Sequence, residues 1–224
     1  MIGVCWASFK ACGRYTIMRL LSDLELVVAS HNPGKVREIE ALLAPHGVRV
    51  SSAAKFNLAE PDETGKSFSA NAKIKATAAC DTTGLAAIAD DSGLVVPALN
   101  GAPGVYSARW AGPCKDFSIA ITRLERELGT RDRAAHFVCA LAIAWPGGGC
   151  QIFQGKAFGI LVFPPRGENG FGYDPIFQPK ETNQTYGEMQ PEEKHLISHR
   201  ASAFAKLSRK YFNSGSEDAD DLIS

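Results

Sequence analysis

The sequence has few of the features that disulfide-stabilised, membrane-spanning or nucleic-acid-binding proteins need. None of its six cysteines forms a CxxC pair, so we predict neither a zinc ribbon nor a disulfide framework and expect a cytoplasmic location. Cys80, Cys139 and Cys150 lie in or beside apolar segments, where small buried hydrophobes are expected. No stretch approaches the roughly 20 apolar residues of a membrane span, so no membrane partner is expected. The 24 basic residues equal the 24 acidic ones, and this balance argues against nucleic acid as a partner.

What remains is an ordinary globular composition in a chain of 224 residues, of which 45% are hydrophobic and 21% charged. We divide the chain into an N-terminal extension at 1–23, one structural unit at 24–212 and an acidic tail at 213–224. The extension, in which either Met1 or Met18 could be the start, and the tail are expected to be disordered.

Apolar periodicity predicts strands that alternate with helices early in the chain and a long hairpin later. Strand patterns cover 24–29, 48–53, 84–91, 134–145 and 150–163, and helix patterns cover 35–47, 67–82, 117–129 and 198–212. Ser67 is placed to cap the second helix, Gly129 to end the third and Ser198 to cap the last. The segments 55–66, 94–112 and 164–177 are predicted loops, and 178–194 is a polar stretch without a predicted element. This mixture predicts an α/β protein with a mixed sheet.

The stretch "SHNPGK" joins the first strand to the first helix. A turn of this kind aims backbone N–H groups and a helix dipole at its contents, which makes it a candidate anion site. Lys35 adds a cation that a helix N-terminus would otherwise disfavour. The stretch is not a Walker A loop, because Ala29 and Val36 occupy positions where that motif needs Gly and Ser or Thr. Taken alone, it is equally compatible with an ordinary turn between strand and helix.

Two adjacent carboxylates, Asp90 and Asp91, follow an apolar run and precede Ser92 and Gly93. We expect them to end a strand at the sheet edge, where α/β proteins bind ligands, and to point to opposite faces. One would then face a pocket, where it could bind Mg²⁺ and activate a water, and the other would support it. Ser92 and Gly93 are expected to turn the backbone sharply. The alternative is a plain Asp-Gly turn.

The segment "DETGKSFSANAKIKA" contains a second group of polar candidates. Asn71 and Lys75 share one face of the predicted helix, so Lys75 could contact a phosphate or simply lie in solvent. Asp62 and Glu63 precede that helix, where they could hold Mg²⁺ or merely complement the helix dipole.

The last candidates lie near the C-terminus. Phe171 and Tyr173 alternate with glycines, an arrangement suited either to stacking on a base or to plugging a hydrophobic loop. Lys194, just ahead of the last helix, and Arg200, at its start, are placed to contact a base carbonyl or a phosphate. His195 and His199 are four residues apart, but metal binding there is disfavoured because no third ligand lies nearby in the sequence.

Taken together and in this order, these blocks resemble the inosine triphosphate pyrophosphatase family, also called non-canonical purine nucleoside triphosphate pyrophosphatases. The blocks are "SHNPGK", "ETGKSFSANAKIKA", "IADDSGL", "GAPGVYSAR", "GFGYDPIF" and "SHRA", and the resemblance covers residues 24 to 212. It implies an elongated α/β fold with a central substrate cleft between two lobes, a homodimer, and Mg²⁺ as cofactor. It also implies hydrolysis of ITP, dITP and XTP to the monophosphate and pyrophosphate.

The resemblance implies a role for each matched residue, although Ser30 and His31 depart slightly from its pattern of small residues. Asp91 would be the metal-binding proton acceptor, Lys75 a phosphate contact, and Asp62 or Glu63 a further metal ligand. Substrate binding would involve Ser30, His31, Asn32, Pro33, Gly34, Lys35, Ser92, Phe171, Gly172, Tyr173, Asp174, Lys194, His199 and Arg200.

Selection against ATP has a physical basis in this interpretation. A fixed donor, such as Arg200 or a nearby backbone N–H, would donate a hydrogen bond to the 6-keto oxygen of hypoxanthine and would oppose the 6-amino donor of adenine. Two other functions stay open: a phosphohydrolase for modified pyrimidine nucleotides, and a nucleotide-binding module without turnover.

Overall fold

The computed structural model of the protein describes residues 25–180 and 182–212. The predicted extension at 1–23 and the predicted acidic tail at 213–224 lie outside these residues. Within them, no helix is long and apolar enough to span a bilayer.

One mixed sheet of six strands, in the order β2-β1-β3-β4-β5-β6, organises the described residues. The central β3 pairs in parallel with β1 and antiparallel with β4, and the β4–β5 hairpin contributes the two longest strands. The predicted mixed α/β sheet is therefore confirmed. The strands are β1 Glu25–Val28, β2 Arg49–Ser52, β3 Ala86–Val95, β4 Ala134–Ala144, β5 Cys150–Leu161 and β6 Phe177–Pro179.

Five helices flank the sheet in the described part of the chain, and most begin or end where capping chemistry predicts. Ser67 accepts a hydrogen bond from Ala70 N at the start of α2, and Gly129 closes α3. Ser198 accepts from Ala201 N at the start of α5. The helices are α1 Pro33–Leu43, α2 Phe68–Thr83, α3 Phe117–Leu128, α4 Pro191–Ile197 and α5 His199–Tyr211.

The alternation of side chains along the strands divides the core between two faces of the sheet. Leu26 and Ile88 pack with α1 and α5 on one face. Val27 and Ala87 pack with α2 on the other, where a row of small residues lets the helix approach the sheet closely. Asp90 continues the row of Ile88, and Asp91 continues the row of Ala87. The two carboxylates therefore lie under different helices.

Two sequence predictions about β3 were wrong. Asp90 and Asp91 do not end the strand, because antiparallel pairing with β4 continues to the pair Val95–His136. Ser92 and Gly93 make no sharp turn for the same reason. Gly93 serves close packing instead, since a Cβ there would lie 2.7 Å from Gly104 O. The parallel neighbour β1 does end early, opposite Ile88, and this leaves β3 open on that side beside the two aspartates.

The polar stretch at 178–194 also contains more structure than predicted. A capping box between Gln190 and Glu193 starts α4, with Pro191 in its first turn. Lys194 lies in this short helix and, as predicted, ahead of the last helix, α5. Among the cysteines expected to be buried, Cys80 and Cys139 are buried, whereas Cys150 is partly exposed.

Candidate functional site

A cleft of about 390 Å³ opens beside the middle of β3. It brings together side chains from the turn before α1, from α2, β3 and α5, and from the loops at 60–63 and 171–174. Fifteen of the predicted site residues line it: Ser30, Asn32, Lys35, Asp62, Glu63, Lys75, Asp91, Ser92, Phe171, Gly172, Tyr173, Asp174, Lys194, His199 and Arg200.

Three predicted residues support the cleft from outside its lining. His31 is exposed, and its Nε2 lies 2.8 Å from the carbonyl oxygen of Leu58. Pro33 is the first residue of α1. Gly34 packs closely against the ring of Phe171. A Cβ at this position would lie only 2.5 Å from a ring carbon, so a larger residue would displace the ring.

The turn before α1 is held by its own side chains. Asn32 Oδ1 accepts hydrogen bonds from the backbone N–H groups of Gly34 at 2.9 Å and Lys35 at 3.3 Å. Ser30 Oγ accepts one from the N–H of Asn32 at 3.2 Å. These bonds fix the turn and direct the positive end of α1 and the Lys35 side chain toward the cleft.

Asp90 is a buried structural anion. Lys35 Nζ lies 2.6 Å from its Oδ1, and Arg200 Nε donates to its Oδ2 at 3.1 Å. The hydroxyl of Ser92 and the thiol of Cys139 each donate to it at 2.9 Å. Burial favours the neutral acid, but the charges of Arg200 and Lys35 prevail and hold the pKa of Asp90 well below its usual range. Asp90 therefore fixes two cations of the cleft and is not free to take a proton.

Asp91, its neighbour, has the opposite character. Its Oδ1 accepts a hydrogen bond from Lys75 Nζ at 3.1 Å, whereas its buried Oδ2 has no hydrogen-bond partner among the described residues. Burial raises the pKa of Asp91 against the effect of Lys75. The cation compensates Asp91 only partly because Lys75 also donates to Glu63, at 2.8 Å. Both carboxylates in turn raise the pKa of Lys75 against the effect of its burial. Asp91 thus keeps one unpaired oxygen at the cleft, where it can accept a proton or bind a cation.

One alternative for Lys75 was a side chain that simply lies in solvent. The structure rules this out, because Lys75 is buried on α2 with 7% of its surface accessible. Of the two acidic candidates ahead of that helix, Glu63 is the one that contacts Lys75. Asp62 lines the cleft and forms no ion pair among the described residues.

From Arg200 the buried charge network continues to the end of the cleft that Lys194 and Asp174 line. Lys194 Nζ donates to Asp174 Oδ2 and to Glu38 Oε1, both at 2.7 Å. Glu38 also accepts from Arg200, which donates to Ser92 at 3.1 Å as well. Sequence reasoning missed Glu38, whose only signal is its place on α1 four residues after Gly34, on the inward face of the helix.

Aromatic side chains form the walls at this end. The Phe171 ring lies between Gly34 and Lys194, whose Nζ is 4.8 Å from the ring centroid. Tyr173 is buried and donates from its hydroxyl to Ser107 O at 3.0 Å. His199 stacks on Phe137 with ring centroids 4.7 Å apart.

His199 is a neutral imidazole in this setting. Burial, and then the charges of Arg200 and Lys194, keep its pKa well below the usual value. Its Nδ1 is buried and has no partner among the described residues. No cluster of three or more potential metal ligands includes His199 in residues 25–180 and 182–212. The ring is therefore available for hydrogen bonding to a ligand.

The other lining residues were not predicted as site residues, although several of them belong to the block "GAPGVYSAR". The quoted block was a signal that these residues matter, but it did not say how. They are Glu60, Pro61, Gly93, Val105, Ser107, Ala108, Arg109, Lys115, Phe117 and Phe137.

Comparison with known proteins gives one consistent group of matches. The family model described as the Ham1 family matches residues 26–210. A protein from Rhodospirillum centenum, named dITP/XTP pyrophosphatase, is 56% identical over 201 residues, which are 88% of this chain and 99% of the relative. A protein of the same name from Bradyrhizobium sp. is 55% identical over 195 residues, 81% of this chain and 91% of the relative.

Solved structures agree with these matches. The Ham1 protein of Staphylococcus aureus has a TM-score of 0.73 and 39% identity, with 82% of this chain and 95% of that protein covered. A nucleoside-triphosphatase, or dITP/XTP pyrophosphatase, from Mycobacterium abscessus has a TM-score of 0.67 and 43% identity, with 82% and 97% covered.

Proposed function

The chain belongs to the Ham1 family, and we propose that it hydrolyses non-canonical purine nucleoside triphosphates, namely dITP, XTP and ITP. The products are the nucleoside monophosphate and pyrophosphate. The names of its relatives support the substrate class. The observation that carries the chemistry is the unpaired Oδ2 of Asp91, held beside Lys75 in a cleft whose far end is walled by aromatic rings.

The charges of the cleft support Mg²⁺ as cofactor. A triphosphate brings several negative charges, yet the ion-paired groups around the cleft comprise five carboxylates and only four cations. A divalent cation would offset this excess, and Mg²⁺ typically uses one or two carboxylates together with substrate phosphates. The cations are Lys35, Lys75, Lys194 and Arg200, and the carboxylates are Glu38, Glu63, Asp90, Asp91 and Asp174.

We assign the Mg²⁺ ligands to Asp91 and Glu63. Asp91 Oδ2 is a buried oxygen without a partner, and Glu63 lies across the same ammonium, Lys75. Asp62 lines the same wall and is the weaker candidate, since it does not contact that ammonium. Mg²⁺, when bound, would shield the phosphate charges and lower the pKa of a bound water.

The chain's own residues would drive the reaction as follows. Asp91 accepts a proton from a water that attacks the α-phosphorus, so a new P–O bond forms while the bond to the bridging oxygen breaks. Lys35 and Lys75 lie where they can offset the charge of the phosphates and of the leaving pyrophosphate.

We propose that the base is recognised at the end of the cleft near Lys194. Lys194 and Arg200 each have more N–H donors than their protein partners use. A donor held rigidly by buried carboxylates would donate a hydrogen bond to a 6-keto oxygen and would leave the 6-amino group of adenine without a partner. The wall formed by Phe171 and Tyr173 would pack against the purine.

We further propose that the unit at 24–212 acts as a homodimer on cytoplasmic nucleotide pools. The apolar side chains of Ile152, Phe158 and Ile160 alternate along β5 and are exposed on one face. A partner subunit covering that face would remove them from water. Light scattering on the purified protein measures the mass directly.

The test of the function is a substrate panel assayed for pyrophosphate and for orthophosphate, with Mg²⁺ and with chelator. We expect Mg²⁺-dependent pyrophosphate release from ITP, dITP and XTP and little from ATP. Pyrophosphate release from modified pyrimidine triphosphates alone would show that the substrates are pyrimidine and not purine nucleotides. Orthophosphate as the only phosphate product would contradict cleavage between the α- and β-phosphates.

A further inference from the structure

Arg109 is one of two cations that line the cleft and form no ion pair in the described part of the chain. Lys35, Lys75, Lys194 and Arg200 are each ion-paired with buried carboxylates. Arg109 forms no ion pair among the described residues. The only hydrogen bond of its side chain to the described residues runs from Nη2 to the backbone carbonyl oxygen of Glu63, at 3.1 Å.

The guanidinium is nevertheless held in place. Its Cζ lies 5.1 Å from the centroid of the Tyr106 ring, and the bond to Glu63 O fixes one of its five donors. Four donors are left for a ligand. A planar guanidinium with spare donors is well suited to a phosphate, which it can bind through two parallel hydrogen bonds.

The position of Arg109 tells which phosphate it can reach. The end of the cleft assigned to the base is buried, with Lys194 and Asp174 only 3% and 2% exposed. Asp91 and Lys75 are also buried, whereas Arg109 is exposed. Contacts lead from Asp91 through Lys75 to Glu63, whose carbonyl oxygen accepts the hydrogen bond from Arg109. A nucleotide with its base at the buried end and its α-phosphorus near Asp91 extends its last phosphate toward the exposed end.

Lys115 is the other lining cation without an ion pair in the described part of the chain. It lies two residues before Phe117, whose ring packs edge-on against Tyr173 with centroids 5.4 Å apart. Lys115 is thus joined by the chain to a ring of the aromatic wall, whereas Arg109 contacts the loop that holds Glu63.

We propose that Arg109 binds the terminal phosphate of the substrate, so that the protein distinguishes nucleoside triphosphates from diphosphates. The proposal rests on the proposed function for the orientation of the nucleotide. It adds a substrate contact, and with it a reason why pyrophosphate rather than orthophosphate is the leaving group that the cleft accommodates.

The test compares the binding of ITP and IDP by calorimetry in EDTA, so that the readout does not depend on turnover. We expect Arg109→Gln to weaken ITP binding by about 10- to 100-fold, the range for one lost charge-assisted contact. The affinity for IDP should change by less than about threefold, and Arg109→Lys should recover part of the loss for ITP. Arg37→Gln, an exposed arginine of α1 that does not line the cleft, is the matched control and should change neither affinity.

Equal weakening for ITP and IDP would overturn the proposal, because it would show that Arg109 acts only by tethering the loop of Glu63. An unchanged affinity for both nucleotides would overturn it as well. If either of these results is found and the wild-type protein still releases pyrophosphate from ITP, the proposed function stands and only the role of Arg109 is rejected. If Arg109→Gln weakens the binding of ITP alone but the wild-type protein releases no pyrophosphate, the role of Arg109 stands and the proposed function is rejected.

Discussion

Replacing Glu38 by Gln tests whether the buried charge cluster holds the cleft together. Glu38 is 8% exposed, and its two carboxylate oxygens accept from Lys194 and Arg200, which come from α4 and α5. Glutamine keeps the shape but offers one acceptor oxygen, and its amide NH₂ opposes one of the two cationic donors. The change therefore leaves a buried cation facing a donor.

The size of the effect follows from the burial of the cluster. Removing one partner of a buried ion pair typically costs about 3–5 kcal/mol. For a domain of this size, each kcal/mol lowers Tm by roughly 2–4 °C, so we expect a loss of about 6–20 °C. Glu40→Gln, on the same helix but exposed, is the matched control, with an expected change of less than about 0.5 kcal/mol.

The assay is thermal unfolding at a series of pH values. The charges of Arg200 and Lys194 outweigh burial and lower the pKa of Glu38 below its ordinary value of 4.5. A lowered pKa in the folded state means that the carboxylate stabilises the fold above pH 4.5 and loses this effect as the pH falls through the lowered value. The difference in Tm between wild type and Glu38→Gln should therefore shrink on acidification. Equal Tm values for both variants and wild type at neutral pH would refute the reasoning.

Two further substitutions separate chemistry from packing. Asp91→Asn should lower the rate of pyrophosphate release by about 10²- to 10⁴-fold, the range for a lost general base. Calorimetry should show that the binding of ITP is largely retained. An unchanged rate would remove Asp91 from the mechanism. Gly93→Ala should destabilise the fold by about 1–3 kcal/mol in denaturant unfolding, because the added Cβ would clash with Oγ of Ser107, in the loop packed on β3. A variant as stable as wild type would show that the Ser107 loop gives way.

The local elements were predictable because short-range chemistry sets them. The turn at "SHNPGK", the cap at Ser67 and the hairpin of β4 and β5 follow from residue types that lie close together in the sequence. The alternation of Asp90 and Asp91 across the sheet also follows from strand geometry alone.

The longer range was less predictable, for two physical reasons. Asp-Asp-Ser-Gly has the composition of a turn, but pairing with a strand some 50 residues away keeps it extended. Glu38 has the composition of a solvent-facing helix position, and only its contact with Arg200, 162 residues later, makes burial favourable. Buried charges are generally difficult to predict from sequence, because their partners come from distant segments of the chain.

The central claim is that water attacks the α-phosphorus within this cleft. The most direct test is to hydrolyse ITP in ¹⁸O-labelled water and to measure the masses of both products by mass spectrometry. The account predicts IMP that carries one labelled oxygen and pyrophosphate that carries none. Labelled pyrophosphate with unlabelled IMP would place the attack on the β-phosphorus and contradict the account.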